Sequence, residues 1–219
     1  MITILLPTFN AELYLADCVG SIINQTYKDW ELIIVDNEST DGTSALLDYY
    51  AKNDKITCIS SKSTIQEARN IALKEAKGDY VATMSSDDKM AEDRLEKSLK
   101  AIKGYDVVYS DYVEMDEKGE VFGIFKVKDI KNFTVDQIAE NQTVPHDTIM
   151  ARRECFKYTY RENGRLDDDH YLIAKWFKEG FKFKKMKDPV LLKRYHANQH
   201  YRVNSNDYAE KSKKLKEEL

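Results

Sequence analysis

Asp87 and Asp88 stand side by side directly after Ser85 and Ser86, where the apolar run 80–84 stops. Two ionised carboxylates so close repel each other unless a positive charge sits on them. A hard divalent cation holding a diphosphate would supply that charge. The structural alternative is a helix start, with Asp88 capping a helix over 91–103 and Asp87 left in water. Asp36-Asn37 is a second polar point at the end of an apolar run. Side chains of that type can pair with the N3–H and carbonyl edge of a uracil or thymine, or simply open an Asx-turn. Arg69, within Ala68-Arg69-Asn70, has the fork to hold a diphosphate, or else lies on the surface of an amphipathic helix. Asp167-Asp168-Asp169-His170 puts three carboxylates at a helix N-terminus, where the dipole alone favours them. Crowding of like charge is expected to raise at least one of their pKa values, which would suit a general base. All four histidines lie in the second half. His146, beside Asp147, and His196, near His200, sit in loop-like contexts and could complete a metal shell or touch a second substrate.

The elements that must carry these residues follow from periodicity. Strands are expected over 2–6, 31–35, 55–60 and 80–84, each a short run rich in apolar and β-branched residues. Helical spacing recurs at Leu13, Leu15, Val19, Ile22 and Ile23, then at Leu46, Leu47 and Tyr50 with Asp41 or Thr43 as N-cap. It returns at Ile65, Ala68, Ile71, Ala72 and Ala76, and at Leu95, Leu99 and Ile102. Four alternations predict an α/β fold: a parallel sheet, right-handed crossovers and helices on both faces. Such a sheet gathers the carboxyl ends of its strands on one rim, the usual place for a ligand. Asp36 and Asp87-Asp88 are expected to meet there. After Gly104 the pattern changes. Strands at 105–109 and 112–115, a turn at 116–119 and a returning strand at 120–127 predict a hairpin. A helix at 134–141, a strand at 148–151, a turn at 152–154, a helix at 166–178 and strands at 181–186 and 190–195 complete a mixed second half. The expected organisation is one domain over 1–200, in halves 1–104 and 105–200, with a charged tail at 201–219.

Composition narrows the function classes. The 219 residues are 42% hydrophobic and 33% charged, with a net charge of -4. That is enough chain for a sizeable core, and it gives no basic field for nucleic acid. Cys18, Cys58 and Cys155 are far apart and lack metal-ligand spacing, which fits reduced thiols in the cytoplasm. The apolar start at 2–6 is too short for a signal peptide. No run approaches the roughly 18 apolar residues that span a bilayer.

Taken together, the motifs resemble those of the family 2 inverting glycosyltransferases, from residue 2 to about 199. Pro7-Thr8-Phe9-Asn10 looks like the family's opening P-T/S-F/Y-N. Residues 21–30 match S-I-x-x-Q-T-Y/F-x-x-W/F, and 35–43 look like V-D-D/N-x-S-T-D-G-T. Ala68-Arg69-Asn70 matches A-R-N, and Ser85-Ser86-Asp87-Asp88 occupies the place of D-x-D-D. His146 matches a histidine common before a strand. Asp168-Asp169 falls where the family has E-D, and Arg194-Tyr195-His196 resembles the closing R-x-H.

The resemblance implies the GT-A fold, a Rossmann-like mixed sheet flanked by helices. It implies a nucleotide-sugar donor, UDP- or dTDP-linked, with Mn²⁺ or Mg²⁺ as cofactor. A glycan or lipid-linked acceptor follows, in surface polysaccharide or glycan synthesis, without nucleic acid. Peripheral membrane association, at the inner face, goes with a lipid-linked acceptor. By position, Thr8 and Asn10 line the nucleotide pocket, Asp36 and Asn37 face the pyrimidine and ribose, and Arg69, Ser85 and Ser86 hold the donor. Asp87 binds the metal, with His196 assisting at the metal or diphosphate. Asp169 is the general base, with Asp168 as the competing candidate, and His146 lies on the acceptor side. Acceptor recognition is expected between 119 and 145.

Departures from the pattern also matter. Ser85 replaces the first aspartate of D-x-D, Asn37 a frequent aspartate, and Thr64 the usual glycine upstream of A-R-N. The rival from another class is a donor-fold module that binds nucleotide with little or no turnover, and Ser85 is the residue that favours it.

Overall fold

The first half alternates strand and helix as its periodicity predicts. A computed structural model describes residues 1–140, 144–161 and 168–197. β1 (Ile2–Thr8), β2 (Trp30–Asp36), β3 (Ile56–Ser60) and β4 (Tyr80–Thr83) are separated by α1 (Leu15–Ile23), α2 (Thr43–Tyr50) and α3 (Ile65–Glu75). The four strands pair in parallel in the order β4-β1-β2-β3. β1 and β2 are buried on both faces, which is why they read as continuous apolar runs rather than alternating ones. Ile4, Leu6, Leu32 and Ile34 pack toward Leu15, Val19 and Ile22 of α1. Leu5, Ile33 and Val35 pack on the opposite face with Ala68 and Ala72 of α3. Thr64 opens α3 with a reciprocal capping box to Glu67, which stabilises that helix start.

The second half closes the sheet in the other direction. β5 (Lys89–Met90), α4 (Arg94–Ala101), β6 (Val107–Tyr109), β7 (Tyr112–Met115), β8 (Val121–Phe125) and α5 (Val135–Glu140) come first. β9 (Met150–Arg152), α6 (Asp168–Lys178), β10 (Phe183–Lys185) and β11 (Leu191–Arg194) follow. The main sheet has the order β10-β6-β9-β4-β1-β2-β3, and β9 lies antiparallel between β4 and β6. A four-stranded sheet, β5-β11-β7-β8, stands beside it.

Several boundaries differ from expectation for local reasons. The helix expected over 91–103 begins at Arg94, with Asp93 in the N-cap position, because Ala91 carries on from β5 and donates its N–H to the Val190 carbonyl at 3.0 Å. Asp88 therefore caps nothing; its Oδ1 accepts the Arg194 N–H at 2.8 Å. The strand expected from 148 starts at Met150, because His146–Thr148 form a 3₁₀ turn whose His146 carbonyl accepts the Thr83 hydroxyl. The turn expected at 152–154 is a 3₁₀ helix, Arg153–Lys157. The N-cap position of α2 is Gly42 rather than Asp41 or Thr43, although Asp41 Oδ1 accepts the Thr43 N–H. Asp167, His200 and the tail 201–219 lie outside the described residues, as does the side chain of Asp168.

Candidate active site

The carboxyl ends of β4, β1 and β2 lie side by side, with Thr8 in register with Asp36. Neighbouring strands are about 4.8 Å apart, so the ends of β2 and β4 stand about 10 Å apart on either side of β1. Thr8 is buried, and its Oγ1 has no hydrogen-bond partner among the described residues. Asp36 does not form an Asx-turn, whose bond runs to the residue two on; Ser39, three residues on, donates its N–H to Oδ2 at 3.0 Å and its hydroxyl to Oδ1. Asn37 Oδ1 accepts the Ser63 N–H at 2.8 Å, tying β2 to the loop after β3. Asn10 sits at φ +48°, a left-handed conformation that asparagine tolerates, and its Oδ1 accepts the Thr40 N–H at 2.8 Å. These residues brace two loops over the rim while Thr8 leaves an unused hydroxyl inside it.

Ser85 and Ser86 follow β4, both half-buried. Asp87 Oδ2 and His196 Nε2 are 3.2 Å apart. Arg194 holds this pair in place. Its Nε donates to the Asp87 carbonyl at 3.0 Å, its Nη1 to the Glu117 carbonyl at 2.9 Å and its Nη2 to Asp17 Oδ2 at 2.9 Å. Tyr14 packs against both the Arg194 guanidinium and the His196 ring. Asp88 is fully buried, and its Oδ2 has no hydrogen-bond partner among the described residues. Burial first, then Asp87 and Asp147, push its pKa well up against the pull of Lys193. Lys193 Nζ lies 3.3 Å from Asp147 Oδ2. Burial works against the ammonium, but Asp88, Asp147 and Asp87 win and hold its pKa up. Asp147 goes the other way: burial opposes ionisation, yet Lys193, His146 and Arg69 hold it well below the usual carboxylate range.

Asp169 stands half-buried in the first turn of α6. The expected upward shift is not found on it. Burial pushes its pKa up, but His170, His146 and Arg69 outweigh that and hold it below 3.8. Arg69 is 7% exposed, not a surface residue, and its guanidinium lies 5.3 Å from the Tyr160 ring centre. His146 is buried, with Nε2 2.8 Å from Tyr160 Oη. Burial, then Arg69, lowers its pKa below 6.5. A row of mutually interacting titratable groups thus runs from Asp87 through Lys193, Asp147 and His146 to Asp169.

Among the described residues, no group of three or more His, Cys, Asp or Glu gathers to hold a metal. Asp87 and His196 supply two converging donor atoms. Small hard cations usually take one or two protein ligands, with substrate phosphates and water completing the shell, so the pair fits such an ion as two of its six ligands. Lys193, Asp17, Tyr14 and Tyr160 were not singled out by sequence reasoning. Lys193 carried a signal: it interrupts the apolar run Val190-Leu191-Leu192, where a solvated strand face is the simple reading. An open depression of about 650 Å³ behind α3, lined by Leu73, Lys74, Phe156 and Lys157 among others, includes none of these charged groups.

Comparison with known proteins bears on the family and the fold. Residues 3–161 match the family model described as Glycosyl transferase family 2. TuaG of Bacillus subtilis, a glycosyltransferase named for teichuronic acid biosynthesis, is 33% identical over 83% of this chain and 73% of its own length. The glycosyltransferase EpsE of the same organism is 32% identical over 83% and 68%. Among solved structures, S. aureus TarS 1–349 in complex with UDP-GlcNAc superposes with a TM-score of 0.78 at 18% identity, covering 98% of this chain and 65% of that one. The mannosyltransferase PcManGT of Pyrobaculum calidifontis, in complex with GDP-Man and Mn²⁺, gives 0.74 at 18% identity, covering 100% and 64%. The chain thus spans just under two thirds of either solved chain, and the shared architecture is the GT-A fold. A mixed sheet with a polar rim, and a family match over most of the chain, lead to one assignment: the chain belongs to glycosyl transferase family 2.

Proposed function

We propose that the chain transfers a glycosyl group from a UDP- or dTDP-sugar to an acceptor hydroxyl, with inversion, in polysaccharide or glycan assembly. The observation that carries this reading is the pairing of Asp87 with His196 at 3.2 Å on a rim whose charges extend to an ionised Asp169. Thr8 Oγ1, buried and without a partner among the described residues, is a hydroxyl left for the nucleotide. Asp36, Asn37 and Asn10 shape the base and ribose end, and Arg69, Ser85 and Ser86 lie on the donor side. Asp87 and His196 would hold Mn²⁺ or Mg²⁺, which supplies charge neutralisation to the leaving diphosphate.

Asp169 takes the proton of the acceptor hydroxyl as that oxygen bonds to the anomeric carbon and the bond to the diphosphate oxygen breaks. Asp168 is the competing base. His146, neutral by virtue of its burial, orients the acceptor side. Holding both reactants in line is a large part of the rate. Residues 1–104 serve the donor and 105–200 the acceptor, a glycan or lipid-linked saccharide. Free thiols at Cys18, Cys58 and Cys155 go with a cytoplasmic site, at the inner membrane face where the acceptor is lipid-linked. No helix among the described residues is long and apolar enough to cross a membrane.

The test is incubation of the purified chain with UDP- and dTDP-sugars and Mn²⁺, beside Asp169→Asn and Asp87→Ala. Donor consumption with an acceptor mixture, lost in both variants, supports the proposal. Absence of nucleotide binding and of donor consumption overturns it. Ser85 favours a second reading, a nucleotide-binding module without turnover, in which Asp169→Asn changes nothing.

A further inference from the structure

β8 forms one edge of the small sheet and carries four large apolar side chains in water. Val121, Phe122, Ile124 and Phe125 are 44% to 62% exposed. Apolar residues clustered on an edge strand are a liability unless something uses them. The rings belong to a connected array. Phe125 stacks on Tyr112, with centres 4.9 Å apart and planes within 10°. Phe122 lies 5.9 Å from the Tyr195 ring, and the Tyr112 and Tyr195 hydroxyls are 3.4 Å apart. Phe122 joins the array at a register slip: Gly123 faces Glu114 and Val121 faces Met115, which leaves Phe122 as the extra residue. Gly123 makes room for a carboxylate, since a Cβ there would come 2.7 Å from Glu114 Oε2.

Two exposed rings, Phe122 and Phe125, the half-buried Tyr195 and the half-buried Glu114 carboxylate therefore share one surface, with the buried Tyr112 beneath Phe125. Its inner end is Lys193, 5.9 Å from the Tyr112 ring and 3.3 Å from Asp147. The surface begins where the row of titratable groups from Asp87 to Asp169 passes.

We propose that this surface is the subsite for the saccharide part of the acceptor. A pyranose ring lays its C–H face on Phe122 and Phe125, and its hydroxyls bond to Glu114 and Tyr195. The assignment rests on the glycosyl-transfer reading and deepens it by placing the acceptor. Rings interleaved with hydrogen-bonding groups match a sugar, which has an apolar face and a polar rim. An anionic lipid surface would meet four carboxylates and one lysine over 114–120. Edge-to-edge pairing with a second copy is discouraged by the bulge.

The experiment uses the full chain and saturation-transfer NMR with a panel of disaccharides built from glucose, galactose, mannose and N-acetylglucosamine. At least one member is expected to bind. The double variant Phe122→Ala/Phe125→Ala weakens that binding by about tenfold, as expected for the loss of two stacking rings. Phe122→Tyr retains it, and Tyr49→Ala, at an exposed ring on α2, leaves it unchanged. Both phenylalanines are exposed, so the thermal midpoint of the variants should match that of the parent chain. Binding by no member of the panel, or equal binding by the double variant, overturns the proposal. Ring-dependent retention on phosphatidylglycerol vesicles, or a ring-dependent dimer in sedimentation, with saccharide binding unaffected, overturns it in favour of a membrane or self-association surface. UDP binding with Mn²⁺ is read separately by thermal shift. Its absence beside ring-dependent saccharide binding would remove the transfer reading and leave the subsite standing.

Discussion

Lys193 and Asp147 meet at 3.3 Å with side chains only 25% and 13% exposed, on segments 46 residues apart. The pair joins the Asp87-Asp88 loop to the His146 turn. Replacing Lys193 alone leaves Asp147 and Asp88 buried without their cation. Lys193→Met is expected to cost about 3–5 kcal/mol, the range for breaking a buried pair from one side. The double variant Lys193→Met/Asp147→Leu recovers part of that loss. Urea unfolding of the two single variants and the double variant measures the coupling.

Asp87 and His196 predict a metal-linked effect on nucleotide binding. His196→Ala should weaken the Mn²⁺-dependent binding of UDP by about tenfold or more, the scale on which perturbing a metal's surroundings acts. Binding without metal should change little. Titration calorimetry with and without Mn²⁺ separates the two, and equal losses in both would remove His196 from the metal's neighbourhood.

Ser85 gives a prediction of opposite sign. A carboxylate at 85 adds like charge beside Asp87 and the buried Asp88, so Ser85→Asp should lower the thermal midpoint of the metal-free chain. With Mn²⁺ and UDP present the same carboxylate becomes a third ligand, and the midpoint rises relative to the metal-free variant by more than it does for the parent chain. A variant that is destabilised equally with and without metal would refute this placement.

His146 should make stability depend on pH from neutrality downward. Burial and then Arg69 lower its folded pKa below 6.5. Between 6.5 and that lower value the unfolded chain binds a proton that the folded chain refuses. The contribution is therefore complete above 6.5 and falls as pH drops toward the folded value. Thermal midpoints from pH 8 to 5 should decline more steeply for the parent chain than for His146→Gln.

Asp169 bears on the pH dependence of rate. His170, His146 and Arg69 outweigh burial and hold its pKa below 3.8. As the base it is already ionised throughout the mildly acidic range. The acid limb of kcat/KM should therefore reflect groups other than Asp169. Asp169→Asn should lower kcat at every pH without moving that limb.

The parallel half of the sheet was legible because its strands are buried on both faces and its helices carry a clear period. The acidic loop at 87–88 was legible because it ends an apolar run. β9 was harder to place: it has three residues, too few for a period, and its neighbours come from β4 and β6. Asp169 shows the same limit in electrostatics. Its sequence neighbours are acidic, which predicts an upward shift, whereas His146 and Arg69 reach it from other elements and reverse the sign. Lys193 looks like a solvated position in sequence, and only the packing of β11 against the acidic loop turns it inward.

β9 also sets a timetable for synthesis. β4 ends at Thr83, but the strand that covers its open edge starts at Met150. A ribosome delivers the two far apart in time, so the nascent chain carries Tyr80–Thr83 as an unsealed edge while α4 and the hairpin emerge. Sealing comes only with the Val81–Ala151 pairing. The interval during which this polypeptide can stick to its neighbours is thus governed by translation speed across that stretch.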